Sequence, residues 1–281
     1  MPMTLVLITA DELPEAMLSD HPPVVLDVRW QLADRHGHDH YREGHIPGAV
    51  FVDLDDELAA PATPARGRHP LPDVADLQAA ARRWGIDDGS SVVVYDDTGN
   101  LAAARAWWLL RWGGLSDVRM LDGGLGAWRA AGLRVSSGDA TPRSGTVTLT
   151  GGHLPVVDID GVAASAAAST AVVLDARAAE RYRGEVEPVD PRAGHIPGAV
   201  SAPTAMNVGP DGTFLPAAEL RERFSALGIG DGTDVIAYCG SGVNAAHEIA
   251  ALEIAGLTGA LFPGSWSQWS SDPERPAETG S

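Results

Sequence analysis

Only one cysteine, Cys239, occurs in the 281 residues, so no disulfide can form within the chain and no second thiol is present to resolve one. Oxidation must then pass through a sulfenic acid at Cys239 or an intermolecular disulfide. Positive charge is also scarce. Twenty Lys and Arg face 38 Asp and Glu, a formal charge of −18 that argues against nucleic acid or an anionic membrane as partner. No stretch approaches the roughly 20 apolar residues that cross a bilayer. The opening Met1-Pro2-Met3-Thr4-Leu5-Val6-Leu7-Ile8-Thr9 has no basic leader of the kind that begins a secretory signal. No His and Cys residues stand at metal-ligand spacing, so no metal is expected. What remains is a globular protein with a cytoplasmic location as the default, at 44% hydrophobic and 21% charged residues.

The lone cysteine sits in an informative place. Val235-Ile236-Ala237-Tyr238 reads as a short buried strand, Cys239-Gly240-Ser241-Gly242 as a tight turn, and the Ala-rich run from Asn244 through Leu252 as a helix. Gly240 and Gly242 lie where the backbone must curl without a Cβ in the way. A turn feeding a helix N-terminus leaves backbone N–H groups without intrahelical partners, with the positive end of the helix dipole behind them. Such a nest favours a thiolate, which is the nucleophilic form of cysteine. Cys239 is therefore read as a sulfur nucleophile in preference to a small buried hydrophobe.

The chain repeats itself. Gly194-His195-Ile196-Pro197-Gly198-Ala199-Val200 copies Gly44-His45-Ile46-Pro47-Gly48-Ala49-Val50 residue for residue, 150 positions on. Asp175-Ala176-Arg177 answers Asp27-Val28-Arg29, and Val235 to Tyr238 answers Val92 to Tyr95, which places Cys239 opposite Asp96. A period this long means two similar domains, not a solenoid. Strands alternating with helices mean an α/β fold with a mainly parallel sheet in each. The expected division is residues 1–135, a Ser-, Gly-, Thr- and Pro-rich linker at 136–155, and residues 156–281, with the first copy inactive because Asp96 replaces the nucleophile. In that first copy, Thr9 to Glu12 looks like a capping box, 24–27 and 91–95 like strands, and 71–84 and 102–112 like helices. His45 and His195 occur in both copies, active and inactive, and are assigned to folding; Trp107, Trp108, Trp266 and Trp269 are assigned to packing.

Two Asp-x-Arg … Gly-His-Ile-Pro-Gly-Ala repeats with a cysteine loop only in the second resemble the tandem rhodanese-domain sulfurtransferases, over nearly the whole chain. Within that family the loop Cys239-Gly240-Ser241-Gly242-Val243-Asn244 resembles the 3-mercaptopyruvate sulfurtransferase type, Cys-Gly-Ser-Gly-Val-Thr, with Asn244 the departure. The thiosulfate type usually carries basic residues directly after the cysteine, where this chain has Gly240 and Ser241. Gly264-Ser265-Trp266-Ser267-Gln268-Trp269 is similar to the family's Gly-Ser-Trp-x-x-Trp ending.

The resemblance implies two rhodanese-like domains and a Cys239 persulfide intermediate cradled by Gly240, Gly242, Val243 and Asn244. It implies a substrate-carboxylate arginine at Arg181, in Glu180-Arg181-Tyr182, and a second in the following loop, for which Arg192 is the candidate. It further implies a relay of Ser241 with His69 and Asp55. The donor would be 3-mercaptopyruvate, or alternatively thiosulfate, and the acceptor a thiol such as thioredoxin, or cyanide. A cysteine phosphatase would need an arginine six positions past the nucleophile, where Ala245 stands. A non-catalytic sulfur relay would have no use for a carboxylate anchor such as Arg181.

Overall fold

The computed structural model describes residues 6–280; residues 1–5, the start of the stretch read above as lacking a leader, lie outside the described residues. Two compact units are formed. Among the described residues, the first comprises 6–58, 72–154 and 209–214, the second 59–71, 155–208 and 215–280.

The first unit holds the strands β1 (Leu7–Ile8), β2 (Val24–Asp27), β3 (Val50–Phe51), β4 (Val92–Tyr95) and β5 (Val118–Leu121) in one parallel sheet of order β1-β5-β4-β2-β3. The second holds β6 (Val172–Asp175), β7 (Val200–Ser201), β8 (Val235–Tyr238) and β9 (Ala260–Leu261), all parallel, in the order β7-β6-β8-β9. A parallel bridge from Val156 to Leu261 adds the edge that β1 supplies in the first sheet. Apolar β-branched strands buried on both faces are what a helix-flanked parallel sheet requires. The two cores use corresponding positions: Val25, Ile46, Ala49, Val93, Tyr95 and Trp128 in one, Val173, Ile196, Ala199, Ile236, Tyr238 and Trp269 in the other.

The repeated motif has a structural purpose in both units. Arg29 Nε and Nη2 donate to the Asp27 carboxylate at 3.0 and 2.9 Å, and Nη2 also donates to Gly44 O. Arg177 treats Asp175 and Gly194 O in the same way. The central-strand tyrosines complete each knot: Tyr95 Oη accepts from Ile46 N, and Tyr238 Oη accepts from Ile196 N while donating to Asp175. His45 stacks on Tyr41 and bonds its carbonyl through Nδ1, and His195 does the same with Tyr182. These buried, satisfied imidazoles hold loop to core, as expected of a motif present in both copies. Trp107, Trp108, Trp266 and Trp269 are buried as expected.

Local expectations are met with small shifts. Thr9 and Glu12 exchange capping hydrogen bonds in both directions, Thr9 N to Glu12 Oε2 and Glu12 N to Thr9 Oγ1, opening the helix Glu12–Met17. The helix expected over 71–84 runs Val74–Arg83 because Pro72 precedes it and Asp73 is its first flanking residue.

The boundary differs from the expected linker at 136–155. Residues 136–154 belong to the first unit, and the second resumes at Pro155. Ser136 and His45 exchange backbone hydrogen bonds, Gly145 N donates to Arg82 O, Val147 N to Ile86 O and Thr150 N to Gly113 O, while Val147 and Leu149 are buried. Gly145 is needed there, since a Cβ would lie 2.0 Å from Ile86 O. A polar, small-residue composition here marks a strap laid along the unit, not a free tether.

Candidate active site

The second unit delivers Cys239 from the end of β8. Gly242 takes φ +82° and opens the helix Val243–Ile254. A Cβ there would also lie 2.5 Å from Pro263 O, so both the turn and the close approach demand glycine. Cys239 is 3% exposed, and Gly242 N–H donates to its Sγ at 3.1 Å. An N–H aimed at sulfur stabilises negative charge on it. Val243 is buried and Asn244 half-buried in the first helical turn.

The Gly-Ser-Trp ending buckles this loop in place. Ser265 Oγ accepts from Cys239 N, Trp266 N donates to Cys239 O and Ser267 N donates to Gly240 O. Ser265 itself has φ +52°, so the buckle is a shaped turn and not an ordinary helix start. Sequence reading placed the tryptophans of this motif in packing but missed the loop-holding work of Ser265 and Ser267.

Segment 59–71 belongs to the second unit for a related reason. Arg68 N donates to Ser267 Oγ and Gln268 Nε2 to Ala65 O, while a Cβ on Gly67 would collide with Gly264 O. That anchoring brings His69 Nδ1 within 2.7 Å of Ser241 Oγ, with both residues buried. Ser241 and His69 are therefore hydrogen-bonded, as the resemblance implies. Asp55 lies in the short helix Leu54–Glu57 of the first unit, exposed, where its carboxylate accepts from Trp30 Nε1 at 3.1 Å.

The arginines are sorted differently from the expectation. Arg181, in the helix Ala179–Tyr182, does face the loop: a Cβ on Gly240 would lie 3.5 Å from its Nη1. Arg192 does not serve as its companion. Its guanidinium donates to four backbone carbonyls, those of Trp269, Ser270, Asp272 and Arg275, and so clamps the C-terminal segment. The second arginine at the loop is Arg68, whose Nη2 would lie 2.8 Å from that same Cβ. Arg68 takes the space a side chain at position 240 would need. One signal could have pointed to it: it directly precedes His69.

Two carboxylates back these arginines. Arg181 Nη2 donates to Glu187 Oε1 at 2.6 Å and to Asp190 Oδ2 at 3.1 Å, and Arg68 Nη1 pairs with Asp190 Oδ1. Burial pushes the Asp190 carboxyl above the usual range against the pull of Arg68. Burial would raise Glu187 too, but hydrogen bonds from Arg181 and from the backbone N–H of Asp190 and Val189 overcome it and hold Glu187 low. Among the described residues no group of three or more His, Cys, Asp or Glu side chains is arranged to hold a metal ion.

The first unit fills the corresponding loop with a carboxyl group, whose proton affinity burial raises against the pull of four backbone N–H groups. Asp96, where Cys239 stands in the second, accepts four backbone hydrogen bonds, from Thr98, Asn100, Ala102 and Ala103, at 2.8 to 3.0 Å. The first copy's nest is filled by its own carboxylate. The second presents the shorter, sulfur-bearing side chain of Cys239 in the same position.

The site thus gathers the chain's single cysteine sulfur in a glycine turn, a hydrogen-bonded hydroxyl–imidazole pair, and two guanidinium groups against Gly240. The chain belongs to the rhodanese-like domain family, which matches residues 9–131 and 160–272. It is 50% identical over 276 residues to SseB of Mycobacterium tuberculosis, named a putative thiosulfate sulfurtransferase, covering 98% of this chain and 97% of that one. It is 48% identical over 279 residues to a probable 3-mercaptopyruvate sulfurtransferase of Pseudomonas aeruginosa, covering 98% of each. The crystal structure of SseA from Escherichia coli, described among the 3-mercaptopyruvate sulfotransferases, superposes with a TM-score of 0.83 at 32% identity, over 94% of this chain and 99% of that one. The protein is a sulfurtransferase, with small-molecule sulfur donors and acceptors. No helix among the described residues is long and apolar enough to cross a membrane.

Proposed function

We propose that this sulfurtransferase takes its sulfur from 3-mercaptopyruvate and passes it, as a Cys239 persulfide, to a thiol such as thioredoxin or to cyanide. The observation that carries the reading is the placement of Arg68 and Arg181 over Gly240, beside the nucleophile, where two guanidinium groups suit a planar carboxylate. Cys239 thiolate attacks the substrate sulfur; the carbon–sulfur bond breaks and its electron pair leaves with the three-carbon fragment as the enolate of pyruvate. Ser241, hydrogen-bonded to His69, supplies the proton that turns enolate into pyruvate. Gly240, Gly242, Val243 and Asn244 supply the backbone cradle for the terminal sulfur. The acceptor then attacks the terminal sulfur and Cys239 returns as thiolate. A cytoplasmic setting, with its pool of reduced thiols, suits the second step.

The relatives' names divide between two donors, and kinetics separate them. Intact mass after 3-mercaptopyruvate alone should show one added sulfur on Cys239, and kcat/KM should favour 3-mercaptopyruvate over thiosulfate. Better turnover of thiosulfate would assign the chain to the other donor.

The anchors have their own test. Arg181→Ala and Arg68→Ala should each lower kcat/KM for 3-mercaptopyruvate by roughly 30-fold or more, chiefly through KM, the ordinary cost of removing one partner of a desolvated charge pair. An unchanged KM in both would remove the carboxylate anchor and favour a relay that processes no small donor.

A further inference from the structure

Six ionisable side chains form one connected network beside the cysteine loop. Arg177 pairs with Asp175 at 2.5 Å and with Glu187 at 3.3 Å; Arg181 pairs with Glu187 and Asp190; Arg68 pairs with Asp190. Three cations meet three anions, so the network is formally neutral although two of its guanidinium groups lie against Gly240. Four of the members have evident structural duties. Asp175 and Arg177 belong to the repeated knot, Glu187 accepts the backbone N–H of Val189 and Asp190, and Arg68 ties its own backbone to Ser267. Asp190 differs: its carboxylate accepts from Arg68 and Arg181, and its side chain is 2% exposed. Burying a carboxylate costs free energy that a fold recovers poorly. A carboxylate placed there for no loop hydrogen bond is there for the arginines.

We propose that Asp190 sets the donor selectivity of the site, cancelling enough of the Arg68 and Arg181 charge that a monoanionic carboxylate is accepted and a dianion such as thiosulfate is rejected. The inference rests on the reading of Arg68 and Arg181 as donor anchors. Its physics is the difference between linear and quadratic terms. The attraction of a site for an ion grows in proportion to the ion's charge, while the cost of stripping its water grows with the square. A strongly cationic pocket repays a dianion's larger hydration loss; a neutralised one does not. The pair still offers fork-shaped N–H donors, so a carboxylate keeps its geometry after the charge is balanced.

The test is the ratio of kcat/KM for thiosulfate to that for 3-mercaptopyruvate, measured on one preparation of each variant, so that any loss of folded enzyme cancels. Asp190→Asn keeps the side-chain shape and removes the charge; the ratio should rise on the order of tenfold, since the added unit of positive charge acts twice as strongly on the dianion. Asp190→Glu keeps the charge and should leave the ratio near that of the unaltered enzyme. Glu185→Gln removes an exposed carboxylate that pairs with Arg183, outside the network, and should not move it. An unchanged or falling ratio in Asp190→Asn overturns the proposal. So does an equal rise in Asp190→Glu, which would indicate packing, or in Glu185→Gln, which would indicate overall charge. Failure of the donor reading shows up elsewhere, as a preference for thiosulfate in the unaltered enzyme.

Discussion

Cys239→Ser is expected to abolish sulfur transfer, with kcat falling about 10⁴-fold or more, as it does when the nucleophile of a covalent mechanism is removed. A serine hydroxyl is far less acidic and far less nucleophilic toward sulfur than a thiolate, so the same nest cannot activate it. Because Cys239 is buried and its backbone is held by Ser265 and Trp266, the substitution should leave the loop in place. The unfolding midpoint is therefore expected to stay near that of the unaltered protein while intact mass after donor shows no added sulfur. Turnover above about 1% of the original level would mean that sulfur leaves the donor by a route that does not need this cysteine.

The second large effect is on stability and lies in the copy that has Asp96 in place of the cysteine. Asp96→Ala removes the acceptor of four backbone N–H groups, three of them buried and that of Thr98 half-buried. Each unsatisfied buried donor costs about 1–3 kcal/mol, and partial collapse or an entering water recovers some of it, so a net loss of about 4 kcal/mol is expected. Six of the eight tryptophans, at 30, 84, 107, 108, 112 and 128, lie in the first unit, so intrinsic fluorescence during urea unfolding reports on it directly. A midpoint shift equivalent to less than about 0.5 kcal/mol would show that the loop does not depend on an internal anion. The same measurement would weaken the argument that the corresponding loop in the second unit is built to hold a charged sulfur.

Much of this site was visible in the residues themselves. Cys239 could be placed because strand, glycine turn and helix are consecutive, and each has a short-range signature. His69 came through the family resemblance, and the structure joins it to Ser241 at 2.7 Å. Arg192 and Arg68 could not be sorted in this way. An arginine side chain is long and flexible, and its direction follows the acceptors that folding brings near it. For Arg192 these are carbonyls 77 to 83 positions further along the chain. The stretch 136–154 failed for a similar reason: its composition is that of a tether, yet its backbone finds partners at His45, Arg82, Ile86 and Gly113.

The sequence by itself determined the twofold repeat, the parallel α/β class and the presence of a lone cysteine after the central strand of only one copy, because all of these are written in local periodicity and in which residue follows which strand. Only the tertiary structure decided which two guanidinium groups meet at Gly240, that Asp190 lies between them, and that Ser265 and Ser267 hold the loop shut. Those are contacts between segments distant in the chain, and charge balance at a site is a property of what gathers there, not of any one stretch that contributes to it.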